Sequence, residues 1–292
     1  MKKKLSTIMA ILIATIMVFA GCNGTDESKG DTGDKPVIEL GYVQWACANA
    51  NSHMLKVLLE DKFDVEINLR DMDAGLLWQS LATGDIDFMV TAWLPGTHEA
   101  YYSELKDKIV DLGPLYEGAG IGLVVPEYVP IDSIEEINEN ADKFNGQIVG
   151  IDAGAGIMRA ATQALTDYDM SDMELITSSD AAMTAELKVA YENNEWVVVT
   201  GWAPHWKFDK FNLKFLKDPM QSFGGEETIN PITRLGFAED YPEINTFLDN
   251  YSLSAAEFGA LIASLDEHGD NIKGAKAWIA DNSELVDGWF NH

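Results

Sequence analysis

The stretch Phe88–His98, FMVTAWLPGTH, contains the local pattern that decides the fold. Its first half is a short apolar run of the kind that forms a buried strand, and Pro95 and Gly96 then mark a turn. Thr97 can cap a helix that begins at this turn, which would place His98 on the first turn of that helix. A strand that leads through a turn into a helix is the repeating unit of an α/β protein.

Units of this kind recur along the chain, because short apolar runs alternate with amphipathic stretches. This alternation is typical of an α/β protein with mostly parallel sheets. The predicted strands are Val37–Val43, Val65–Arg70, Phe88–Trp93, Ile121–Val125, Ile148–Asp152, Leu175–Ser178, Val197–Trp202 and Leu213–Leu216. The predicted helices start near Ser52, Gly75 and Thr97 and then cover Gly156–Asp167, Asp180–Asn193, His205–Phe211, Pro242–Tyr251, Ser254–Glu267 and Ala275–Phe290.

The strands fall into two successive sets, which predict two α/β lobes. Gly122–Pro126 is placed to cross from the first lobe to the second, and Glu227–Gly236 is placed to cross back. The predicted lobes are therefore residues 36–125 plus 232–292 and residues 126–231. A two-lobed protein with two crossings has its natural ligand site in the cleft between the lobes. One large doubly wound domain is the alternative that the length leaves open.

The composition predicts a folded and strongly acidic protein. Of its 292 residues 47% are apolar, which is enough for a large core or two smaller ones and excludes a disordered chain. Lys and Arg number 20 against 48 Asp and Glu, so the formal net charge is −28. Such a surface repels phosphate backbones, and we expect no binding to nucleic acid. The two cysteines cannot supply a CxxC zinc site or a disulfide framework, and no His/Cys/Asp cluster has metal-ligand spacing, so no metal or cofactor is predicted.

The first 22 residues, MKKKLSTIMAILIATIMVFAGC, have the layout of an export signal. Three lysines precede an apolar run that is too short to span a membrane stably. The small residues before Cys22 resemble a bacterial lipobox, which implies that residues 1–21 are a signal peptide and that Cys22 is lipidated. Residues 22–35 are then a lipidated N-terminus and a flexible Gly- and Asp-rich tether, holding the protein on the extracytoplasmic face of the cell membrane. An ordinary cleaved signal peptide is the alternative.

Three of the eight tryptophans share one kind of position, because Trp45, Trp93 and Trp202 each stand at the C-terminal end of a predicted strand. Open α/β sheets bind ligands at the carboxyl ends of their strands. Three aromatic faces at such ends can close into a box for a quaternary ammonium group, which has no N–H to donate and is held by the negative ring faces. Core packing is the other use of a tryptophan, and we assign Trp278 to the core because it lies at an apolar position of a helix.

The run Gly150–Met158, GIDAGAGIM, leaves a strand and enters a helix through small residues. Its glycines allow a ligand to approach the backbone closely, and the helix N-terminus offers free N–H groups to an anion. The spacing does not match the dinucleotide fingerprint, but the amides of Gly156 and Ile157 are sufficient for a small carboxylate. His98 can donate a hydrogen bond to the same anion. His205, in the string GWAPHW, follows a strand and a turn in the same way and is a weaker candidate for this role. An ordinary tight turn is the alternative for the run.

Four strings carry a family resemblance: GYVQW at 41–45, MVTAWLPGTH at 89–98, GIDAGAGIM at 150–158 and VVVTGWAPHW at 197–206. In combination they resemble the glycine betaine/proline betaine substrate-binding proteins of ABC importers, and the resemblance runs from Val37 to Trp289. It implies a two-lobed periplasmic-binding-protein fold, type II-like, that closes on a ligand in its cleft. It also implies a permease and ATPase complex as partner, and no enzymatic activity.

The resemblance assigns roles to the residues already singled out. It implies that Trp45, Trp93 and Trp202 form a cage around a trimethylammonium group. It implies that the backbone amides of Gly156 and Ile157, together with His98, bind the carboxylate of the same ligand.

Other ligands and another class of protein stay open at this level. Glycine betaine, proline betaine, carnitine and choline share the cationic head, and a binding protein could instead take a sulfonate or an amino acid. A carbohydrate-active enzyme is the rival from another class, because many carboxylates are present and tryptophans commonly stack on sugars. No GxSxG, Walker or HExxH motif occurs and no carboxylate pair stands out, so no catalytic residue is assigned.

Overall fold

The computed structural model describes residues 35–290. The predicted signal peptide, Cys22 and most of the predicted tether lie outside the described residues. From residue 35 to residue 290, no helix is both long enough and apolar enough to cross a membrane.

Strands and α-helices alternate through most of this part of the chain, and helices follow one another at its end. The strands are β1 (Val37–Tyr42), β2 (Glu66–Asp71), β3 (Phe88–Leu94), β4 (Ile109–Asp111), β5 (Tyr116–Pro126), β6 (Gln147–Val149), β7 (Glu174–Ile176), β8 (Val199–Ala203), β9 (Leu213–Phe215) and β10 (Glu227–Arg234). The α-helices are α1 (Ala46–Lys62), α2 (Ala74–Thr83), α3 (Glu99–Leu105), α4 (Gly156–Asp167), α5 (Asp180–Asn193), α6 (Lys207–Lys210), α7 (Phe237–Asp240), α8 (Pro242–Asn250), α9 (Ala255–His268), α10 (Asn271–Asp281) and α11 (Ser283–Gly288).

The long strand β5 joins two groups of strands into one sheet of order β2-β1-β3-β10-β5-β8-β6-β7, with β4 beside β10 and β9 beside β5. Residues 116–119 of β5 pair with β10, whereas residues 120–124 pair with β8. We therefore call residues 36–119 plus 227–290 the first half of the protein and residues 120–226 the second half. These changes of pairing partner fall a few residues before the predicted lobe boundaries at 125 and 231, and the boundaries themselves stay predictions.

The two halves each place one tryptophan on a central strand. All seven residues of β3 are buried, and this strand lies between β1 and β10, which explains why every residue except Thr91 is apolar. Trp93 near its carboxyl end is opposite Ile229 of β10. In the second half, β8 lies between β5 and β6, and Trp202 is opposite Ile121.

Two strands were not expected from the sequence: the short β4, Ile109–Asp111, and the longer β10. Glu227–Gly236 is predicted as a crossing segment, but residues 227–234 form β10 between β3 and β5. Pro231 argues against a central strand because proline has no N–H to donate to a neighbour. The structure accommodates it with a register shift between Asn230 and Ile232.

The helix predictions are confirmed for α4 and α5, whose bounds are those expected, whereas others need correction. The helix predicted over His205–Phe211 is only the short α6. Helix α1 begins at Ala46 rather than near Ser52, because Asp180 in the second half accepts a hydrogen bond from the backbone N–H of Ala46. The single helix predicted over Ala275–Phe290 is instead α10 and α11. Asn282 leaves the helical conformation between them, and its side-chain amide donates to the carbonyl oxygen of Trp278 at 2.8 Å.

Candidate functional site

A cavity with about 280 Å³ of empty space, its opening included, lies where the two halves meet. The lining is almost wholly apolar and comes from both halves: Trp45, Trp93 and Thr97 from the first, and Ile121, Ile151, Ala155, Gly156, Ile157 and Trp202 from the second.

The three predicted cage tryptophans all line this cavity, and all three are buried. Trp45 is the N-cap residue of α1, and its indole Nε1–H donates to Oδ2 of Asp152 in the second half at 2.9 Å. Trp93 and Trp202 stand near the carboxyl ends of β3 and β8. The fold thus brings together three rings that are far apart in the sequence.

The N-terminus of α4 forms another part of the cavity wall, through Ala155, Gly156 and Ile157. The first N–H groups of a helix have no partner within the helix, and they lie at the positive end of its dipole. Ala155 is the N-cap residue and supplies no side-chain cap. A Cβ atom on Gly156 would overlap the carbonyl oxygen of Thr97, so only glycine allows the two halves to meet this closely.

His98 is buried, and its ring atoms have a defined arrangement. Its Nδ1 accepts a hydrogen bond from the backbone N–H of Trp93 at 3.0 Å, so the proton of the neutral ring is on Nε2. Nε2 is buried without a hydrogen-bond partner in residues 35–290. Burial, with a smaller contribution from Arg159, lowers the pKa of His98 to about 3, so the ring is neutral near pH 7. His98 does not itself line the cavity, and its ring stacks on that of Trp45 with centroids 5.9 Å apart.

The loop that carries His98 is held by a glutamate that the sequence analysis did not single out. Glu227 of β10 is buried and accepts hydrogen bonds from the backbone N–H groups of Gly96 and Thr97 at 2.6 and 2.5 Å. The hydroxyl of Thr97 also donates to this carboxylate, so it does not cap α3 as predicted. His98 is instead the N-cap residue, and α3 begins one residue later at Glu99.

A second buried carboxylate, Asp180, lies at the start of α5 and connects the two halves. It accepts a hydrogen bond from the backbone N–H of Ala46 at 2.9 Å and contacts Nε2 of His205 at 3.0 Å. Burial opposes ionisation of Asp180, but the hydrogen bond to His205 and the nearby Lys207 keep its pKa below the usual value. The carboxylate therefore caps α1 from outside that helix. His205 serves this contact and does not line the cavity.

Further hydrogen bonds join the halves around the cavity. The hydroxyl of Tyr101 donates to the carbonyl oxygen of Gly154 at 2.9 Å. The guanidinium of Arg159 donates to the backbone carbonyl oxygen of Thr97 at 3.0 Å. Together with the contacts of Asp152 and Asp180, they describe a closed arrangement of the two halves.

The chemistry of the cavity is that of a binding site with an aromatic part and a hydrogen-bond-donating part. Tryptophan faces attract cations, and helix N-terminal amides attract anions. No group of three or more His, Cys, Asp or Glu side chains in the described part of the chain is arranged to hold a metal ion. A two-lobed α/β protein with such a cavity between its halves is a solute-binding protein of the periplasmic-binding-protein class.

Comparison with known proteins specifies the family. Residues 36–281 match the family described as the substrate binding domain of ABC-type glycine betaine transport system, and the chain belongs to this family. Among curated proteins, it is 41% identical over 162 residues to the glycine betaine/carnitine transport binding protein GbuC of Listeria monocytogenes. That match spans 55% of this chain and only about half, 53%, of the relative.

Two solved structures are similar over most of their length. One is the glycine/betaine/L-proline-binding protein ProX from Borrelia burgdorferi, with a TM-score of 0.83 and 36% identity, covering 87% of this chain and 96% of the other. The second is lactococcal OpuAC in its closed-liganded conformation complexed with glycine betaine, with a TM-score of 0.81 and 36% identity, covering 88% of this chain and all of the other. The predicted fold class and the predicted family are therefore confirmed.

Proposed function

We propose that the protein binds glycine betaine, or a related quaternary ammonium osmoprotectant, outside the cytoplasm and delivers it to the permease and ATPase of an ABC importer. The observation that carries this proposal is the cavity in which three tryptophans and the N-terminus of α4 share one small space. The family match and the glycine betaine named for its relatives support the same ligand class.

In this proposal the two ends of the ligand bind to different parts of the cavity. The trimethylammonium group lies among Trp45, Trp93 and Trp202, where desolvated cation–π contacts are strongest. The carboxylate accepts hydrogen bonds from the amides of Gly156 and Ile157. The unpartnered Nε2–H of His98 is the third donor, and it stays in place near pH 7 because the ring is neutral there.

Carnitine and choline share the cationic head and are the closest alternative ligands, followed by a sulfonate or an amino acid. A carbohydrate-active enzyme is the more distant alternative. A sugar needs many polar partners around its hydroxyl groups, whereas this lining is almost wholly apolar. We therefore propose a binding role without catalysis.

A thermal-shift screen with betaines, choline, sulfonates, amino acids and sugars tests the proposed function. A ligand that binds only the folded state raises the midpoint of unfolding in a concentration-dependent way. We expect the largest rise with glycine betaine or proline betaine. A larger rise with a sugar or an uncharged solute would contradict the proposal.

Replacing His98 with alanine should reduce the preference for glycine betaine over choline. The variant loses one charge-assisted hydrogen bond to the carboxylate, a loss of about 1.5–3 kcal/mol or about 10- to 100-fold in affinity. Choline has no carboxylate, so its affinity should change much less. Calorimetric titration of both ligands measures the difference.

His53→Ala is the matched control for this variant, because both ring nitrogens of His53 already have partners, whereas Nε2 of His98 has none in residues 35–290. Nδ1 of His53 lies 2.8 Å from the carbonyl oxygen of Asn49, and its Nε2 lies 3.4 Å from the side-chain amide nitrogen of Asn271. It should leave the ratio of the two affinities unchanged. Equal affinity of the wild type for choline and glycine betaine, with no effect of His98→Ala, would show that the carboxylate is bound elsewhere.

The lipid anchor is part of the same proposal. If Cys22 carries a lipid, that lipid attaches an acidic protein to the membrane surface, and Cys22→Ser should move the protein from the membrane fraction to the soluble fraction. Cell fractionation followed by immunoblotting measures this. Cys47→Ser is the matched control, since Cys47 is a buried free thiol and should leave the distribution as in the wild type. A Cys22→Ser protein that stays bound after a high-salt wash would refute the anchor.

A further inference from the structure

Lys207, the first residue of α6, is buried completely. Its Nζ lies 4.1 Å from the centroid of the Trp202 ring and 5.5 Å from that of Phe208. This nitrogen has no hydrogen-bond partner among residues 35–290. A lysine is almost never fully buried without a partner, because removing an ammonium group from water is strongly unfavourable. The position of this amine on a cavity tryptophan therefore needs an explanation.

The amine and the cavity both contact the ring of Trp202. Trp202 lines the cavity, whereas Lys207 does not. A ligand cation against Trp202 in the cavity and a protonated Lys207 would be two positive charges on one indole ring. The two positive charges repel each other, and this repulsion is stronger in the low-dielectric interior of a protein than in water.

We propose that Lys207 is a positioning residue that sets the affinity of the cavity for cations: a ligand cation binds against Trp202 when the amine of Lys207 is neutral, so that binding is coupled to release of a proton from this amine. The inference rests on the proposed function, since it requires a cationic ligand in the cavity. It adds a determinant of specificity that does not touch the ligand.

The groups around Lys207 are compatible with this coupling. Burial lowers the pKa of Lys207 to about 7, although Asp180 on α5 and Cys47 on α1 act in the opposite direction. Burial raises the pKa of the Cys47 thiol to about 12 and lowers that of His205 to about 4. Asp180 is held below its usual pKa, so it is ionised near neutral pH. Of these four groups, only Lys207 changes charge near pH 7.

The direction of the pH effect follows from these charges. Below its pKa the amine is positive and opposes a cation on the same ring. Above its pKa the amine is neutral and the opposition is gone. The affinity for a cationic ligand should therefore rise as the pH rises through about 7, and the bound cation should lower the pKa of Lys207 further.

Calorimetric titration of the wild type with glycine betaine, between about pH 6 and pH 8.5, tests this directly. If binding requires the neutral amine, affinity increases about tenfold over this range, in proportion to the neutral fraction. Titration at pH 7 in two buffers of different protonation enthalpy should detect release of a fraction of a proton. The control ligand is 3,3-dimethylbutanoate, in which carbon replaces the charged nitrogen. It lacks the positive charge, so its binding should release no proton and its affinity should not rise with pH.

Two variants separate the charge from the packing of the side chain. Lys207→Met keeps the apolar length and removes the amine, so it should abolish proton release and give a pH-independent affinity for glycine betaine. Lys207→Arg keeps a permanent charge and should bind weakly at every pH. The matched control is Lys143→Met, because Nζ of Lys143 lies 4.3 Å from the ring centroid of Trp196, which is not part of the cavity. It should behave as the wild type.

The outcomes distinguish this inference from the proposed function. Glycine betaine that binds with equal affinity at all pH values and without proton release overturns the inference and leaves the function standing. An affinity for glycine betaine that still depends on pH in Lys207→Met also overturns the inference and leaves the function standing. A protein that binds no betaine at any pH overturns both. The wild-type measurements need no variant, so a poorly folded Lys207→Met protein does not prevent a decision.

Discussion

Replacing Gly156 with alanine should weaken glycine betaine binding by about a hundredfold, or about 3 kcal/mol. The added Cβ would overlap the carbonyl oxygen of Thr97, which belongs to the opposite half of the protein. Backbone cannot move aside as a flexible side chain does, so the halves would be held apart at the cavity. A ligand stabilises closure only through contacts made in the closed state, and those contacts would be lost. Calorimetric titration measures the affinity, and small-angle scattering with and without ligand measures the closure.

Gly154→Ala is the matched control on the same turn. A Cβ at Gly154 has ordinary contacts, the nearest being Oδ1 of Asp152 at 3.9 Å and the hydroxyl of Tyr101 at 4.0 Å. This variant should bind glycine betaine nearly as well as the wild type, and both variants should unfold at similar temperatures. Similar affinities for Gly154→Ala and Gly156→Ala would mean that the contact with Thr97 does not limit closure.

Replacing Trp93 with alanine should weaken glycine betaine binding by about 30-fold, which corresponds to about 2 kcal/mol for a desolvated cation–π contact. Trp45→Ala and Trp202→Ala should have effects of similar size, since all three rings line the same cavity. In each case the variant removes a negative ring face from around the ligand cation. Calorimetric titration of the three variants tests the cage as a whole.

Trp278 is the control for this series, because it is buried equally well but lies on α10, away from the cavity. Trp278→Ala leaves a void in the core and should destabilise the protein by about 3–5 kcal/mol. The affinity of the protein that remains folded should be nearly that of the wild type. If Trp278→Ala and Trp93→Ala lost binding to the same extent, the rings at the cavity would have no special role.

Periodicity alone predicted most of the regular structure. The bounds of α4 and α5 were predicted from the sequence, and α5 has a local start signal in Ser179, whose side chain accepts a hydrogen bond from the backbone N–H of Ala182. The strand β10 was missed because Pro231 has no N–H for a neighbouring strand, and the bulge that accommodates it depends on the pairing with β3. Sequence rules describe one segment at a time, whereas a bulge is a property of two paired strands.

The candidate site was predictable to a similar degree. The positions of Trp45, Trp93 and Trp202 after apolar runs indicated strand ends, and the small residues around Gly156 indicated an open helix N-terminus. The supporting carboxylates were not predictable, because Asp152 and Glu227 act on residues more than a hundred positions away. A sequence as acidic as this one offers 48 carboxylates, and no local signal marks the few that are buried.

The sequence by itself determined the alternation of strands and helices, the strand ends that carry Trp93 and Trp202, and the glycines that open the N-terminus of α4. Only the tertiary structure decided how these parts meet. Helix α1 shows the reason: it starts at Ala46, with no side-chain cap from its own segment, because the carboxylate of Asp180 in the second half accepts the hydrogen bond of its first N–H group. The same is true of the cavity, whose wall forms where Gly156 meets Thr97. Hydrophobic periodicity acts over a few residues, whereas hydrogen bonds and steric contacts join any residues that the fold brings together.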